Sequence, residues 1–552
     1  MSSITRRVSV TSKYTLKEGH YLLMLTLFSG LLFFMGWPVN PFPFLLFFAF
    51  IPILAIEHYL AVEKPKKAGK KFFICVYLAF LIWNLGSTWW VYFSTAIGAV
   101  FMLLANSFLM TLPMLLFRFT KAKAGIRWGY FSFVLYWLAF EYIHITWDLS
   151  WPWLTLGNGL SIFPQWIQWY EYTGIFGGSL WIILINLALF FAIFKSSWIT
   201  KKIVPVRSII YISLLIVVPI AISYIIYFNY EERGTDTEVV VLQPNIDPFT
   251  EKFIGTENFI PFEQQLERFF KLSEEKITPN TSFVVWPETA LDAQVLESQY
   301  QNYDIMQKVI SFRKNNPHIS LITGLTTTNI FPDKKSAPPS ARYHAESNIY
   351  YGVYNTALFL NDNEEHEFYH KSKLVPGVEI MPYPQVFGFI ADLLFNLGGT
   401  SGGFGRQEDR TVFFNSQNIG IAPSICYESI YGEFMARFVM NGANFIFIIT
   451  NDGWWGDSPG YKQHLQYATM RAIETRRSIA RSANTGISAF INQRGDILER
   501  TAYWEQDAIR GNIKSNDKIT FYVQYGDYIG RTATWLSVFV FLSAMVKRKF
   551  KK

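Results

Sequence analysis

Hydrophobic and polar positions divide the chain into three stretches. Long apolar runs follow one another before Tyr230, short runs alternate with polar segments from Thr235 to about Asn516, and one more apolar run follows Asp527. A helix needs about 20 predominantly apolar residues to cross the hydrocarbon core of a bilayer. His20–Gly36, Phe42–Ala61, Phe72–Val91, Ala96–Phe117, Trp128–Thr146, Thr173–Phe194 and Ser208–Phe228 predict seven such spans, and Asp527–Val546 an eighth. In the middle stretch, strand-length apolar runs recur at Thr237–Asn245, Thr281–Glu288, Ile319–Leu325, Tyr350–Leu360, Ile419–Cys426, Ala443–Asp452 and Gly486–Asn492. With helical segments between them, they predict an α/β sandwich. Tyr461–Asn484 predicts a soluble helix, its apolar stripe spaced three and four residues apart. The expected organisation is residues 1–230 for spans one to seven, 231–520 for the α/β domain, and 521–552 for span eight with a basic tail.

Charge tests this layout independently. Arg6, Arg7, Lys13 and Lys17 precede span one; Lys64, Lys66, Lys67, Lys70 and Lys71 follow span two. Arg118, Lys121, Lys123 and Arg127 follow span four, Lys195, Lys201, Lys202 and Arg207 follow span six, and five basic residues end the chain. The loops after spans one, three and five contain no Lys or Arg. Cytoplasmic loops carry the positive excess, so both termini are expected in the cytoplasm and the middle domain outside it. The net charge of +7 is then a topology signal. With no basic patch clustered on a folded face, no nucleic-acid partner is expected. The first run has the basic lead-in of a signal peptide but no small-residue cleavage site, and reads as a retained anchor.

Chemistry enters with the two cysteines. Cys75 falls inside span three and reads as a core residue, too remote from Cys426 for a disulfide. Cys426 ends an apolar run and is followed directly by Tyr427 and Glu428. Glu288 and Asn451–Asp452 also stand where apolar runs stop, and Lys371 lies beside a short extended segment. The crevice beyond the carboxyl ends of strands is the usual site in α/β sheets. A carboxylate can take a thiol's proton, and an ammonium can stabilise both thiolate and oxyanion. Glu288 could equally cap a turn and Lys371 could be one solvated lysine among many, because spacing does not show that the three converge. Glu141, His144 and Asp148 stand at or near the end of span five; Glu141 and His144 read as polar bundle contacts, and the loop Trp147–Asn158 as one that docks on the middle domain. "GGTSGGFG" (Gly398–Gly405) lacks the Lys-Ser/Thr of a phosphate loop. The eight histidines show no zinc spacing, so no metal and no dissociable cofactor are expected.

The combination "VVWPETAL", "YHKSKLVPGVE" and "CYESIYGEF" resembles the nitrilase superfamily, whose catalytic Glu, Lys and Cys occur in this order. Eight spans around such a domain, with "TNDGWWGDSPGYKQHLQYATMRAIETRRSIARSANTG" downstream, resemble its membrane-embedded branch, the apolipoprotein N-acyltransferases. The resemblance implies a multi-span helical membrane bundle carrying an extracytoplasmic αββα sandwich in a bacterial inner membrane. It implies Glu288 as general base, Lys371 as oxyanion-stabilising lysine and Cys426 as nucleophile, with Glu379, Tyr427, Glu428 and Trp454 as supporting residues. The implied donor is a membrane phospholipid such as phosphatidylethanolamine, and the acceptor is the α-amine of a diacylglyceryl apolipoprotein. Acylation would run ping-pong through a thioester on Cys426, in a protein expected to act as a monomer. Lys373 stands where the family often has histidine, and Phe253 where many members have tryptophan. Lys371 is preferred over Lys373 because the family's lysine precedes the second glutamate by eight residues. Candidate lipid-dipping segments are "FFNSQN" (Phe413–Asn418) and Phe387–Phe395, the latter equally readable as an amphipathic helix on the domain core. Two rivals remain: a membrane-anchored amidase or nitrilase using water as acceptor, and a transporter or receptor whose outer domain only binds ligand.

Overall fold

The computed structural model describes residues 13–197, 205–363, 365–381, 383 and 403–546. Seven helices come first: α1 (Lys13–Met35), α2 (Ile51–Glu63), α3 (Ala68–Thr88), α4 (Ala96–Ala124), α5 (Ile126–His144), α6 (Tyr170–Ser197) and α7 (Val206–Asn229). Helices α8 (Phe262–Glu274), α9 (Asp304–Asn315), α10 (Gly432–Met440), α11 (Pro459–Thr475) and α12 (Phe521–Tyr525) belong to the middle region, and α13 (Tyr528–Val546) closes the described chain. All eight runs expected as spans are helical. Seven segments, those of α1, α2, α3, α4, α6, α7 and α13, are long and apolar enough to cross a membrane by length and composition.

Helix α5 falls outside that set because of its polar side chains. Glu141 of this helix is held inside the bundle through Oε1, which accepts from Trp137 Nε1 at 2.9 Å and from the Leu156 amide at 2.8 Å. Most outward-facing side chains of α7 and α13 are apolar, among them Val206, Ile225, Phe228, Trp535 and Phe539. Apolar surface on this scale suits a lipid solvent.

The strands in chain order are β1 (Asp236–Gln243), β2 (Thr281–Val285), β3 (Leu291–Leu296), β4 (Ser320–Phe331), β5 (Arg342–His344), β6 (Ile349–Leu360) and β7 (His366–His370). They continue with β8 (Phe413–Phe414), β9 (Gly420–Ile425), β10 (Phe445–Thr450), β11 (Ser478–Ala483), β12 (Ala489–Ile491), β13 (Ile497–Arg500) and β14 (Asp507–Lys514). One sheet runs β14-β1-β2-β4-β6-β5, with β3 on β4 and β7 on β6; the other runs β13-β12-β11-β10-β9-β8. The centres are parallel, β1-β2-β4 in one sheet and β9-β10-β11 in the other.

Alternation along the strands builds the sandwich. Val239, Val241, Phe283 and Val285 face the second sheet, where Phe283 meets Phe447 edge-on at 5.5 Å. Val240, Leu242, Val284 and Trp286 point the other way, into a separate core with residues of α8 and α9. Helices α10 and α11 pack on the second sheet. The order is helix, sheet, sheet, helix, as expected.

Two expectations need correction. The helix predicted over Tyr461–Asn484 stops at Thr475, and Ser478–Ala483 is strand β11. Arg476 ends the helix in the left-handed region at φ +50°, a conformation that glycine usually announces in sequence. Phe413 of "FFNSQN" is buried and stacks on Phe359 at 5.1 Å, so it packs within the sandwich rather than dipping into lipid. Phe387–Phe395 lies outside the described residues.

Helix α11 also forms the seam with the bundle. Gln463 donates from Nε2 to the carbonyls of Pro38 (2.5 Å) and Ser87 (3.1 Å) and accepts at Oε1 from Trp90 Nε1 (3.3 Å) and Trp153 Nε1 (2.6 Å). All four bonding positions of one buried amide are thus used across the seam. Ser150 bonds Tyr431 through its hydroxyl at 2.7 Å and receives the Tyr427 hydroxyl at its carbonyl at 3.0 Å. The loop Trp147–Asn158 therefore docks on the sandwich as expected. Trp90 Nε1 also bonds the Ser87 carbonyl at 3.1 Å, so Gln463→Leu would strand the Trp153 indole N–H and the Pro38 carbonyl in a dry interface, at about 1–3 kcal/mol each before relaxation. A clear drop in Tm of the purified full-length protein is expected, and an unchanged Tm would mean that the amide does not hold the seam.

Candidate active site

Three chain segments bring the expected site residues together. Glu288 follows β2 through Trp286 and Pro287, Lys371 is the first residue after β7, and Cys426 is the first after β9. Glycine is required at one point of this assembly. A Cβ on Gly324 of β4 would lie 2.7 Å from the Cα of Glu288 and 2.5 Å from the amide of Thr289, so only a bare backbone lets the Glu288 turn sit against β4.

Lys371 is 1% exposed, and its ammonium lies 3.0 Å from Glu288 Oε1 and 2.8 Å from Glu379 Oε1. Burial works against the charge, but the two carboxylates outweigh it and hold the ammonium well above its usual range. Asn355, in the middle of β6, donates to Glu288 Oε1 at 2.8 Å and to Glu379 Oε1 at 3.2 Å, and its carbonyl takes the Lys371 amide at 2.8 Å. The second oxygen of Glu288 accepts the Asn451 amide at 3.1 Å. Lys373 is directed elsewhere, over the ring of Tyr431 at 4.9 Å.

Cys426 takes φ +51°, a left-handed conformation uncommon for a residue with a side chain. The turn that follows holds it there: the Cys426 carbonyl accepts from Ser429 Oγ at 2.8 Å and lies 3.2 Å from His464 Nε2. Behind His464, Asp452 lies 3.0 Å from Nδ1 and also receives Arg481 at 2.5 Å and Thr450 at 2.8 Å. Burial opposes the Asp452 charge, yet Arg481 and His464 keep its carboxyl below the usual range. Burial, then the negative charge of Glu288, pushes the Cys426 thiol far up, with Lys371 pulling the other way. Both the burial and the neighbouring Glu288 thus favour the protonated thiol at rest.

The supporting residues divide by position. Glu379, Tyr427 and Trp454 line the same cavity as the three central residues, a space of about 640 Å³. Glu428 does not line it. Fully buried, it accepts the amides of Ile425 (2.8 Å), Ser372 (2.6 Å) and Lys373 (3.2 Å) and the Tyr369 hydroxyl (2.7 Å). It clamps the cysteine turn to the lysine loop. Phe253 lines the cavity and stacks on Trp454 at 6.0 Å. The bundle supplies the remaining wall through Trp90, Val91, Ser94, Trp151 and Trp153. Glu141 and Asp148 make polar contacts away from this cavity, Asp148 with Arg406 at 3.5 Å. His144 lines a neighbouring apolar cavity beside α4. No cluster of metal-ligating side chains occurs among the described residues.

Sequence reading missed Asn355, His464 and Arg481. Asn355 leaves a trace, as one amide inside an eleven-residue apolar run; His464 and Arg481 leave none, because each is one polar residue among several.

Two family descriptions match the chain. Residues 29–188 match the N-terminal domain of apolipoprotein N-acyltransferases, and residues 256–519 match the carbon–nitrogen hydrolase domain. The apolipoprotein N-acyltransferase of Chlorobaculum tepidum is 29% identical over 539 residues, covering 95% of this chain and 97% of that one. The one from Rickettsia bellii is 29% identical over 446 residues, covering 79% and 80%. Saccharomyces cerevisiae Nit3, a solved member of the nitrilase superfamily, aligns at 15% identity with a TM-score of 0.34 over 50% of this chain and 90% of its own.

The raised thiol pKa has a checkable cause. Glu288→Gln removes a negative charge that holds the Cys426 proton on, so its pKa should fall while that of Cys75, in the bundle, stays put. Alkylation by iodoacetamide followed against pH, with the adduct located by peptide mass spectrometry, reads this directly. A Cys426 profile identical in both proteins would rule out the coupling.

Proposed function

Built from the N-terminal domain of apolipoprotein N-acyltransferases and a carbon–nitrogen hydrolase domain, this chain, we propose, is a bacterial membrane acyltransferase. It transfers an acyl chain from a membrane phospholipid, with phosphatidylethanolamine as the expected donor, to the α-amine of a diacylglyceryl-modified N-terminal cysteine on apolipoproteins. One observation carries the reading. The Glu288–Lys371–Cys426 group opens into a cavity that shares a tryptophan-lined wall with the helical bundle, where a lipid-borne ester can reach a thiol. The basic loops support a periplasmic sandwich with both termini in the cytoplasm.

The shared cavity of Glu288, Lys371, Cys426 and Tyr427 supports the following roles. Glu288 takes the Sγ proton and the thiolate attacks the ester carbonyl carbon. The tetrahedral oxyanion is met by the Lys371 ammonium and the Tyr427 amide. Collapse breaks the ester C–O bond, Glu288 returns its proton to the departing lysolipid oxygen, and an acyl thioester is left on Cys426. The acceptor amine then attacks that thioester, loses a proton to Glu288 and leaves as an amide, and the proton goes back to the sulfur. Splitting the transfer in two lets a single base serve both halves. Lys371 keeps its charge throughout because Glu379 stays paired with it while Glu288 gains and loses a proton. Glu379 and Glu428 act through Lys371 and the cysteine turn, as positioning residues.

Incubating the purified protein with phosphatidylethanolamine alone should give a hydroxylamine-sensitive acyl adduct on Cys426, absent from Cys426→Ser. Adding a diacylglyceryl-cysteine peptide should move the acyl group to its amine. Release to water instead would favour the hydrolase reading, and no adduct in folded protein would sink the acyltransferase reading and move the amidase and binding-domain readings to the front. Glu288→Gln and Lys371→Met should each slow adduct formation by about a hundredfold or more, measured well below the Tm of each variant. Near-normal rates in either would remove that residue from the chemistry.

A further inference from the structure

Charge within the reaction cavity is unevenly satisfied. Glu288, Glu379 and Lys371 neutralise one another through short contacts. The bundle contributes Trp90, Val91, Ser94, Trp151 and Trp153, none of them charged. The sandwich adds one more ionic side chain to the lining, Arg342 at the start of β5, opposite Tyr351 of β6. This guanidinium is half-buried and donates from Nη2 to the Gly403 carbonyl at 3.2 Å. Its Nε is buried and has no hydrogen-bond partner among the described residues, and no described carboxylate lies within ion-pair distance of it. Thr326 and Gln294 line the cavity with it.

A partly desolvated guanidinium without a counter-ion is costly to keep. Its planar fork of donors matches the oxygens of a phosphate better than any other side chain does. Taking the reaction above as given, only one of the two substrates supplies such a group. A phospholipid carries a phosphodiester, whereas a diacylglyceryl cysteine carries two esters, a thioether and an amine. We propose that Arg342 binds the phosphodiester of the acyl donor, so that the cavity tells donor from acceptor by a charge that only the donor has. The acyl ester is thereby offered to Cys426 by a lipid anchored at its phosphate. After the transfer, the lysolipid leaves with its phosphate and the acceptor enters a cavity in which nothing anionic is required of it.

The test separates binding from chemistry. In the full-length Cys426→Ser protein, binding of dioctanoyl phosphatidylethanolamine and of dioctanoylglycerol is followed by the fluorescence of the cavity tryptophans, with Arg342 intact and as Arg342→Gln. Losing a hydrogen-bonded charge contact should weaken phospholipid binding about 10- to 100-fold, leave the diacylglycerol within twofold, and make Arg342→Lys intermediate. With Cys426 restored, adduct formation at low donor should fall by a similar factor in Arg342→Gln, while transfer from pre-acylated enzyme to the peptide acceptor should not change. Equal weakening for both lipids would show that Arg342 merely supports the Gly403 segment and would overturn the proposal. So would phospholipid binding that ignores the substitution. Competition by inorganic phosphate, without any preference between the two lipids, would mean a free-anion site instead. If the phospholipid preference depends on Arg342 but no adduct ever forms on Cys426, the phosphate site stands and the acyltransfer reading falls.

Discussion

A buried ammonium between two carboxylates organises the centre of this protein. Lys371 is almost fully enclosed, and such a charge is tolerable only with well-placed partners. Glu288 and Glu379 provide them, and Asn355 fixes both carboxylates by donating to each. Since Glu288 comes from the end of β2, Lys371 from the end of β7 and Asn355 from β6, satisfying that one charge pins the first sheet's loops in register. The second sheet joins through Glu428, whose single carboxylate gathers the cysteine turn and the lysine loop. The site and the sandwich are therefore stabilised by the same bonds.

The thiol is held differently. Its high pKa keeps it neutral at rest, with a base already aimed at its surroundings and an ammonium ready for the charge that develops during attack. In the proposed reaction such a thiol gains from being inert until a substrate excludes water. The His464–Asp452–Arg481 group beneath the turn holds the backbone carbonyl of Cys426 rather than its sulfur. It fixes direction, and in the proposed reaction proton transfer falls to Glu288.

Much of this was legible in the sequence, for identifiable reasons. Long apolar runs and the sidedness of lysine and arginine report on a solvent, and a solvent acts on composition. The helix at α5 was found in the same way, although its aromatic and polar content sets it apart from the other spans. Strands with continuous apolar runs, such as β1, β9 and β10, were found because buried parallel strands leave no polar face. Strand β11 was hidden inside a helical pattern, since the arginine that breaks the helix carries no local signal. At the site, Glu288, Lys371 and Cys426 stood out at run ends, and their convergence is a tertiary fact that no spacing encodes. Asn355 and His464 owe their positions to partners 12 or more residues away, and local pattern does not register those.

The left-handed backbone at Cys426 reaches beyond the present molecule. A side chain branched at Cβ crowds its own carbonyl in that conformation, whereas an unbranched one is tolerated. Of the three residue types that ordinarily attack carbonyls through a side-chain heteroatom one carbon from the backbone, serine can occupy the position and threonine cannot do so without rebuilding the turn. Divergent descendants of this scaffold have therefore had fewer nucleophiles open to them than the chemistry alone would allow, a limit set by backbone geometry before any selection on rate.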